Sequence, residues 1–407
     1  MKNTKQILIA FILLFAILFS MMACTEKAEE PKASGPDQLS SENGSGSESG
    51  NGSDKSSESE SDKKTQKPTE KIVYADQNYK LAQVTSKLKL IGRVQKLSNG
   101  LTCDFTASGI AFNAYIEGEL SFTVDATLQS GKGDATYFTV FIDGERVDKR
   151  YEAKSGSNTI VIGDLGDMAL HEVMIVKQNQ SERSRCVLKN LKFYGALDSA
   201  AEEKELYIEI LGDSITCGHG NLGGASGGGD RFEYEDGTQA YSFLTAQNLN
   251  ADYNIVSQSG IGVYSGWTSY TMMDYYTKAS WHRSQTARYD FSKARKPDVV
   301  IINLGTNDAT FSSDKVGFKT NAKALINFIR QNYGSDVPIV WAYGMMGNAL
   351  FDTHTSEALS ELGGEEAGLY SIKLNKNGSG GQGHPVVSAH ETAAKTLSDF
   401  ILYTVLT

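Results

Sequence analysis

The sequence predicts an α/β fold with a parallel sheet, preceded by an all-β sandwich. Two observations carry this. Across residues 72–195 apolar and polar side chains alternate with a period of two, and turn signals break the runs. That is the pattern of antiparallel strands with one buried face. From residue 206 onward, short apolar runs alternate with stretches at helical spacing, which implies parallel strands covered on both faces. At 407 residues the chain is long enough for two such domains and further segments besides.

The chain opens with Lys2 and Lys5, an unbroken apolar stretch at 7–19, and then Met21-Met22-Ala23-Cys24. A basic flank, an apolar run of that length and a small residue at its end read as a secretory leader over 1–24. A small residue before a lone cysteine resembles a bacterial lipobox, with Met21 where Leu is usual. Lipid on Cys24 would hold the chain on the outer face of a bacterial membrane, since each buried methylene contributes ~0.8 kcal/mol and a bacterial lipoprotein carries more than one chain. Residues 25–70 are Ser, Gly, Glu, Asp and Lys with almost no apolar side chain. They cannot bury enough surface to offset chain entropy and read as a disordered stalk.

The β-sandwich is expected over 71–197. Ile110, Phe112, Ala114 and Ile116 alternate with polar or small neighbours, and so do Leu120, Phe122, Val124 and Ala126. With Gly118 between the two runs, this predicts a hairpin. Residues 137–142 form another strand, ending in the hairpin signal Asp143-Gly144. Strands follow at 173–176 and 186–194, then a polar linker at 196–204. Cys103, Cys186 and Cys217 have neither CxxC nor metal-ligand spacing, which leaves a Cys103–Cys186 bridge and three buried thiols as alternatives. No metal or cofactor is expected. The net charge of −10 gives no electrostatic footprint for nucleic acid.

The α/β domain is expected over 204–407, with strands at 206–211, 253–257, 299–303, 339–343 and 369–374. Ala322, Leu325, Ile326, Ile329 and Tyr333 recur at helical spacing and Gly334 is placed to end that helix. Ala389, Ala393, Leu397, Phe400 and Ile401 mark the last helix.

Chemistry concentrates at the strand ends. In LYIEILGDSITCGHG, Ser214 follows a buried strand and a sharp turn at Gly212, where open α/β sheets bind ligands. Asn307 lies in NLGTND after the strand at 299–303, Gly260 in SQSGIGV, and His384 in Gly383-His384-Pro385 before the last helix. Together these resemble the four sequence blocks of the SGNH (GDSL-type) hydrolases over 206–407. The resemblance implies Ser214 as nucleophile, His384 as general base, and Gly260 and Asn307 as oxyanion donors beside the Ser214 amide. It also implies five strands in flavodoxin-like order.

Two local motifs fail their context. Gly224-Ala225-Ser226-Gly227-Gly228 fits G-x-S-x-G but lies in a glycine-rich loop. Gly218, Gly220 and Gly223 spell G-x-G-x-x-G without opening a helix. Of the other histidines, His171 lies in the β domain, His219 in the nucleophile's own loop, His282 mid-chain and His354 after the fourth strand. His390, on the last helix, packs or faces solvent.

The SGNH family usually places Asp three residues before its histidine, and this chain has Gly381. Either a backbone carbonyl near Gly381 or Gln382 orients the ring, or an acid such as Asp352 or Glu357 does. The favoured expectation is a Ser–His dyad with a carbonyl, titrating near ~6.5 with no upward shift.

The β-sandwich, IDGE, Leu165-Gly166-Asp167, LGDSITCG, SQSGIGV and the YGMMG run resemble carbohydrate esterase family 2 over 72–407. This implies a jelly-roll domain and a secreted acetylesterase acting on acetylated polysaccharide. Asp213, Tyr264 and Trp267 are then the candidates for substrate contact. Trp281, Trp341 and Tyr343 could stack on sugar but suit core packing better. Two other readings share these features: a peptidoglycan or capsule O-acetylesterase, and a catalytically silent glycan-binding lipoprotein. Intact Ser214, Asn307 and His384 argue against the second.

Overall fold

The computed structural model describes residues 72–224, 231–280, 287–347 and 350–407. Cys24, the leader, the stalk, Ser226, Trp281 and His282 lie outside these. None of the described helices is long and apolar enough to cross a membrane.

The β half is built around one long strand. The predicted hairpin is instead a single strand of 20 residues, Gly109–Leu128. Gly118, at φ +70, bends this strand without reversing it, because both halves find partners along their length. The first half pairs with Ala169–Lys177 and the second with Gly156–Asp164. Ser184–Ala200 runs antiparallel along both halves. The bend is held by Gly118 N–H donating to the Gly166 carbonyl at 2.8 Å and Leu165 N–H donating to the Gly118 carbonyl at 2.9 Å. The 11 strands of this sheet pair antiparallel and wrap a core that includes Ile110, Phe112, Phe122, Val124 and Phe138, a jelly-roll-like arrangement. Asp143 and Gly144, at φ 54 and 83, make the expected tight turn between Ala135–Ile142 and Glu145–Arg146. Strand Ser184–Ala200 takes up the first half of the predicted linker, because its edge continues to pair with the long strand. Cys103, Cys186 and Cys217 are buried free thiols.

The α/β half has five parallel strands: Leu206–Gly212, Ala251–Ser257, Val299–Asn303, Ile339–Tyr343 and Leu369–Lys373. In chain order they lie in the sheet as 2-1-3-4-5. Alternate side chains of one strand serve opposite faces. Val299 and Ile301 pack with Ala393, Ala394 and Leu397 of helix Val387–Phe400. Val300 and Ile302 pack with Ala322, Leu325 and Ile326 of helix Lys315–Tyr333. Gly334, at φ 104, ends that helix. The register sets Gly212 beside both Ser257 and Asn303. The loops that follow these three strands therefore leave the sheet side by side.

A buried ion pair links the two halves. Arg93, from the β half, donates from Nη2 to Glu209 Oε1 at 3.3 Å. Glu209 lies on the interior strand Leu206–Gly212 and also accepts from Tyr276 Oη at 2.6 Å and Asn254 Nδ2 at 2.5 Å. The guanidinium stacks over Tyr289, 3.9 Å from the ring centroid, and donates from Nη1 to the Lys278 carbonyl at 2.8 Å. Arg93→Ala would leave Glu209 buried and unpaired, which costs ~3–5 kcal/mol. Urea denaturation should show a loss of that size, and a change under ~1 kcal/mol would mean that Glu209 reaches water or another cation.

Candidate active site

The first strand of the parallel sheet ends at a position that only glycine fits. A Cβ on Gly212 would stand 1.9 Å from Thr216 Oγ1. The tight turn beyond it is closed by the amides of Thr216 and Cys217 donating to the Asp213 carbonyl at 3.1 and 3.2 Å. Ser214 sits in this turn with its Oγ 2.8 Å from His384 Nε2. His384 Nδ1 is 3.1 Å from the Gly381 carbonyl. A carbonyl only accepts, so the ring carries its proton on Nδ1 and leaves Nε2 to accept from the serine hydroxyl. The candidate acids are engaged elsewhere. Asp352 pairs with Lys373 at 3.5 Å, and Glu357 pairs with Lys319 and His354, both at 3.1 Å.

Ser214, Gly260, Asn307 and His384 line one cleft of about 520 Å³, together with His219, Trp267 and Gln382. Glu182 and Arg183 of the β half complete its wall. Trp267 is 74% exposed and stands edge-on to Phe311 at 4.7 Å. Among the described residues the amides of Ser214 and Gly260 have no hydrogen-bond acceptor. Asn307 Nδ2 donates to the Ile261 carbonyl at 2.9 Å and to Asp213 Oδ2 at 3.3 Å. The loop after Gly260 is anchored by Asp308, whose carboxylate accepts from the amides of Val263, Tyr264 and Ser265 at 3.0, 2.7 and 2.9 Å.

Two of the expected substrate contacts are elsewhere. Asp213 is fully buried behind the cleft, where its Oδ1 accepts from Ile215 N–H at 3.0 Å. Burial, helped by the charge of Asp308, pushes its carboxyl up to about 7, against the pull of that amide. Tyr264 points away from the cleft and donates to Asp314 Oδ2 at 3.1 Å. In a turn, chain neighbours face different sides, so adjacency to Ser214 or Gly260 did not bring either side chain to the cleft. Trp341 is a core residue that donates to the Leu304 carbonyl at 3.0 Å. His390 packs, accepting from Tyr241 N–H at 3.1 Å. His219, in the nucleophile's own loop and without a motif of its own, meets His384 ring to ring with centroids 4.6 Å apart. Among the described residues no group of three or more His, Cys, Asp or Glu is arranged to hold a metal.

With this geometry in hand, the likeness to known proteins is specific. Residues 210–376 match the GDSL-like lipase/acylhydrolase family. These residues form a GDSL-like lipase/acylhydrolase domain. Close relatives of the chain, in sequence and in structure, are family 2 carbohydrate esterases. Cellulase/esterase CelE of Acetivibrio thermocellus is 29% identical over 316 residues, covering 74% of this chain but only 37% of that protein. An acetylxylan esterase / glucomannan deacetylase of Cellvibrio japonicus is 22% identical over 322 residues, covering 76% of this chain and 87% of that one. The structure of a family two carbohydrate esterase from Clostridium thermocellum in complex with cellohexaose is 29% identical with a TM-score of 0.70, covering 77% of this chain and 98% of that one.

The histidine of the cleft, His384, departs from the expected titration. Burial first, and then the neighbouring His219, lower His384 to about 4, well under the ordinary ~6.5. His390 is lowered to about 3 by burial. Lowered values keep both rings neutral down to acid pH. An NMR titration of the ring protons should therefore show neither histidine gaining a proton above pH ~5, and a His384 midpoint at the ordinary ~6.5 would contradict the buried geometry.

Proposed function

We propose that the chain is an extracellular carbohydrate O-acetylesterase, a serine carboxylic ester hydrolase that frees acetate from an acetylated polysaccharide such as xylan or mannan. The observation that carries this is the 2.8 Å contact between Ser214 Oγ and His384 Nε2 on the wall of an open cleft. The names and structures of the relatives support the carbohydrate ester as substrate. Trp267 offers an exposed indole face at the cleft, the kind of surface on which a sugar ring stacks.

Each step follows from the contacts. Ser214 Oγ attacks the acetyl carbonyl while His384 Nε2 takes its proton. Charge develops on the carbonyl oxygen, where the amides of Ser214 and Gly260 and the Asn307 side chain stabilise it. The longer Asn307 bond, to Asp213 at 3.3 Å, is the one the oxyanion displaces. One such donor contributes ~2.7–4 kcal/mol. The imidazolium gives its proton to the departing sugar oxygen, which leaves acetyl-Ser214. Water, deprotonated by His384, then releases acetate. The base works only when neutral, so activity should fall only as pH drops through about 4.

Ser214→Ala should lower turnover by on the order of 10⁶, and His384→Ala by about as much, because the two act as a unit. The measurement is acetate release from acetylated xylan, mannan and peptidoglycan side by side. Release from peptidoglycan alone would replace the plant-glycan reading with a cell-wall one. Release unchanged by Ser214→Ala would overturn the mechanism.

The extracellular, membrane-tethered location rests on the leader and Cys24. Cys24→Ala should free the chain into the medium or leave its leader uncleaved, read by fractionation and intact mass. A variant that is processed and retained like the parent contradicts lipidation.

A further inference from the structure

Two loops of the site, the oxyanion loop and the histidine loop, are tied to one buried carboxylate that belongs to neither. Glu235 Oε1 accepts from Gln180 N–H at 2.6 Å, and Oε2 accepts from Gln180 Nε2 at 2.7 Å. Gln180 then reaches the oxyanion loop, its Oε1 accepting from Ser259 N–H at 2.7 Å. Ser259 is the residue before Gly260. On the other side, Glu235 Oε2 lies 3.7 Å from Arg183 Nε and 3.6 Å from His219 Nδ1. Arg183 Nη2 donates to His219 Nδ1 at 3.2 Å. An imidazole nitrogen that accepts leaves the proton on the other one, so His219 Nε2 donates to Gln382 Oε1, at 2.8 Å. Gln382 sits at φ 55, a left-handed conformation unusual for a residue with a side chain. It lies between Gly381, whose carbonyl orients His384, and Gly383.

The donors come from the β half. Gln180 and Arg183 lie in the turn between strands Ala169–Lys177 and Ser184–Ala200. Lys177 stiffens that turn: its buried ammonium donates to the carbonyls of Asp104, Gln180 and Ser184 at 2.7, 3.2 and 2.8 Å. The Arg150 guanidinium, also from the β half, donates to the Glu235 carbonyl at 3.0 Å. Burial alone would raise the Glu235 carboxyl, but the His219 and Arg183 side chains beside it outweigh that and hold the group at about 2. The hub is therefore an anion at any working pH.

We propose that Glu235, with Gln180, Arg183 and His219, is a positioning device through which the β-sandwich sets the oxyanion loop and the His384 loop at the same time. On this view the jelly-roll half is part of the catalytic apparatus. It supplies the rigidity that a carboxylate three residues before His384 would otherwise give. The inference rests on reading Ser214 and His384 as the reacting pair. Glu235 and Gln180 do not line the cleft, so they act through other groups.

The test uses the full chain, 4-nitrophenyl acetate as substrate, and complete labelling of Ser214 by a fluorophosphonate to count competent sites. Glu235→Gln keeps the shape and removes the charge. Gln180→Met cuts the oxyanion arm without unpairing any charge, and His219→Phe cuts the histidine arm. Loose positioning costs up to about 10²-fold. Glu235→Gln should thus lower kcat per labelled site by ~10–100-fold, and Gln180→Met by ~10-fold, with KM within about twofold. Adding Glu235→Gln to the Gln180→Met, His219→Phe double variant should cost less than about twofold more, since the hub acts only through those arms. Should Glu235→Gln fail to fold, Gln180→Met decides alone. Unchanged kcat per labelled site, with only fewer sites or a lower Tm, makes the hub merely structural and overturns the proposal. A full cost of Glu235→Gln in the double-variant background overturns it too. A parent protein that hydrolyses no ester sinks the esterase reading, and this inference with it. An active parent with unaffected variants sinks the inference alone.

Discussion

Burying charge at the seam between the two sheets is the constraint on which the rest of the structure depends. Glu209 stands on an interior strand of the parallel sheet, a place where a carboxylate is tolerated only when it is fully bonded. Its partner, Arg93, comes from more than a hundred residues upstream and threads between Tyr276, Tyr289 and Phe291. Lys177 and Glu235 repeat the device nearer the cleft, each filling its bonding capacity with groups from across the seam or from the adjoining turn. Such pairs contribute little net stability compared with apolar residues of the same volume. What they impose is a single docking. A shifted seam would strand Glu209 without Arg93 and Glu235 without Gln180, so only one arrangement of the two halves avoids an unpaired buried charge.

This explains which parts of the fold the sequence could reveal. The parallel strands Val299–Asn303 and Ile339–Tyr343 begin and end where their apolar runs do, because burial on both faces leaves no polar alternation to blur the ends. The long strand Gly109–Leu128 is hidden in the sequence for the opposite reason. Its alternation is regular on both sides of Gly118, and a glycine between two alternating runs is the local signature of a turn. What makes it a bend is pairing with strands tens of residues away, which no window along the chain contains. The Ala200 end of Ser184–Ala200 follows the same rule: a polar edge stays extended because its partner does.

The site divides in the same way. Ser214, Gly260, Asn307 and His384 each sit in a short block whose glycine, proline or strand context announces a loop at a strand end, and the structure brings all four to one cleft. Asp213 and Tyr264 share those blocks without facing that cleft. Gln180, Arg183, His219 and Glu235 carry no motif. The only trace of them in the sequence is polarity where burial follows: a glutamine and an arginine in a short turn between strands, and a glutamate in a loop of the α/β half. Buried polar residues look like surface ones until the tertiary partner is known.

The position of Gly381 ties these threads together. A carboxylate there would hold the imidazole in one tautomer and also stabilise its charged form. The Gly381 carbonyl, 3.1 Å from Nδ1, does the first and only part of the second. The ring is accordingly a weak base, lowered to about 4 chiefly by its burial. A weak base stays neutral and ready over a wide pH range, but accepting a proton then costs more in the transition state. Glu235 serves this base by position: through Arg183, His219 and Gln382 it holds the loop whose Gly381 carbonyl orients the ring. A neutral acceptor in contact with the histidine and an anion one side chain further away thus share the work of one carboxylate. The second member of that pair is held in place by the β half, so the loss of the adjacent acid and the tight docking of the two halves are parts of the same solution.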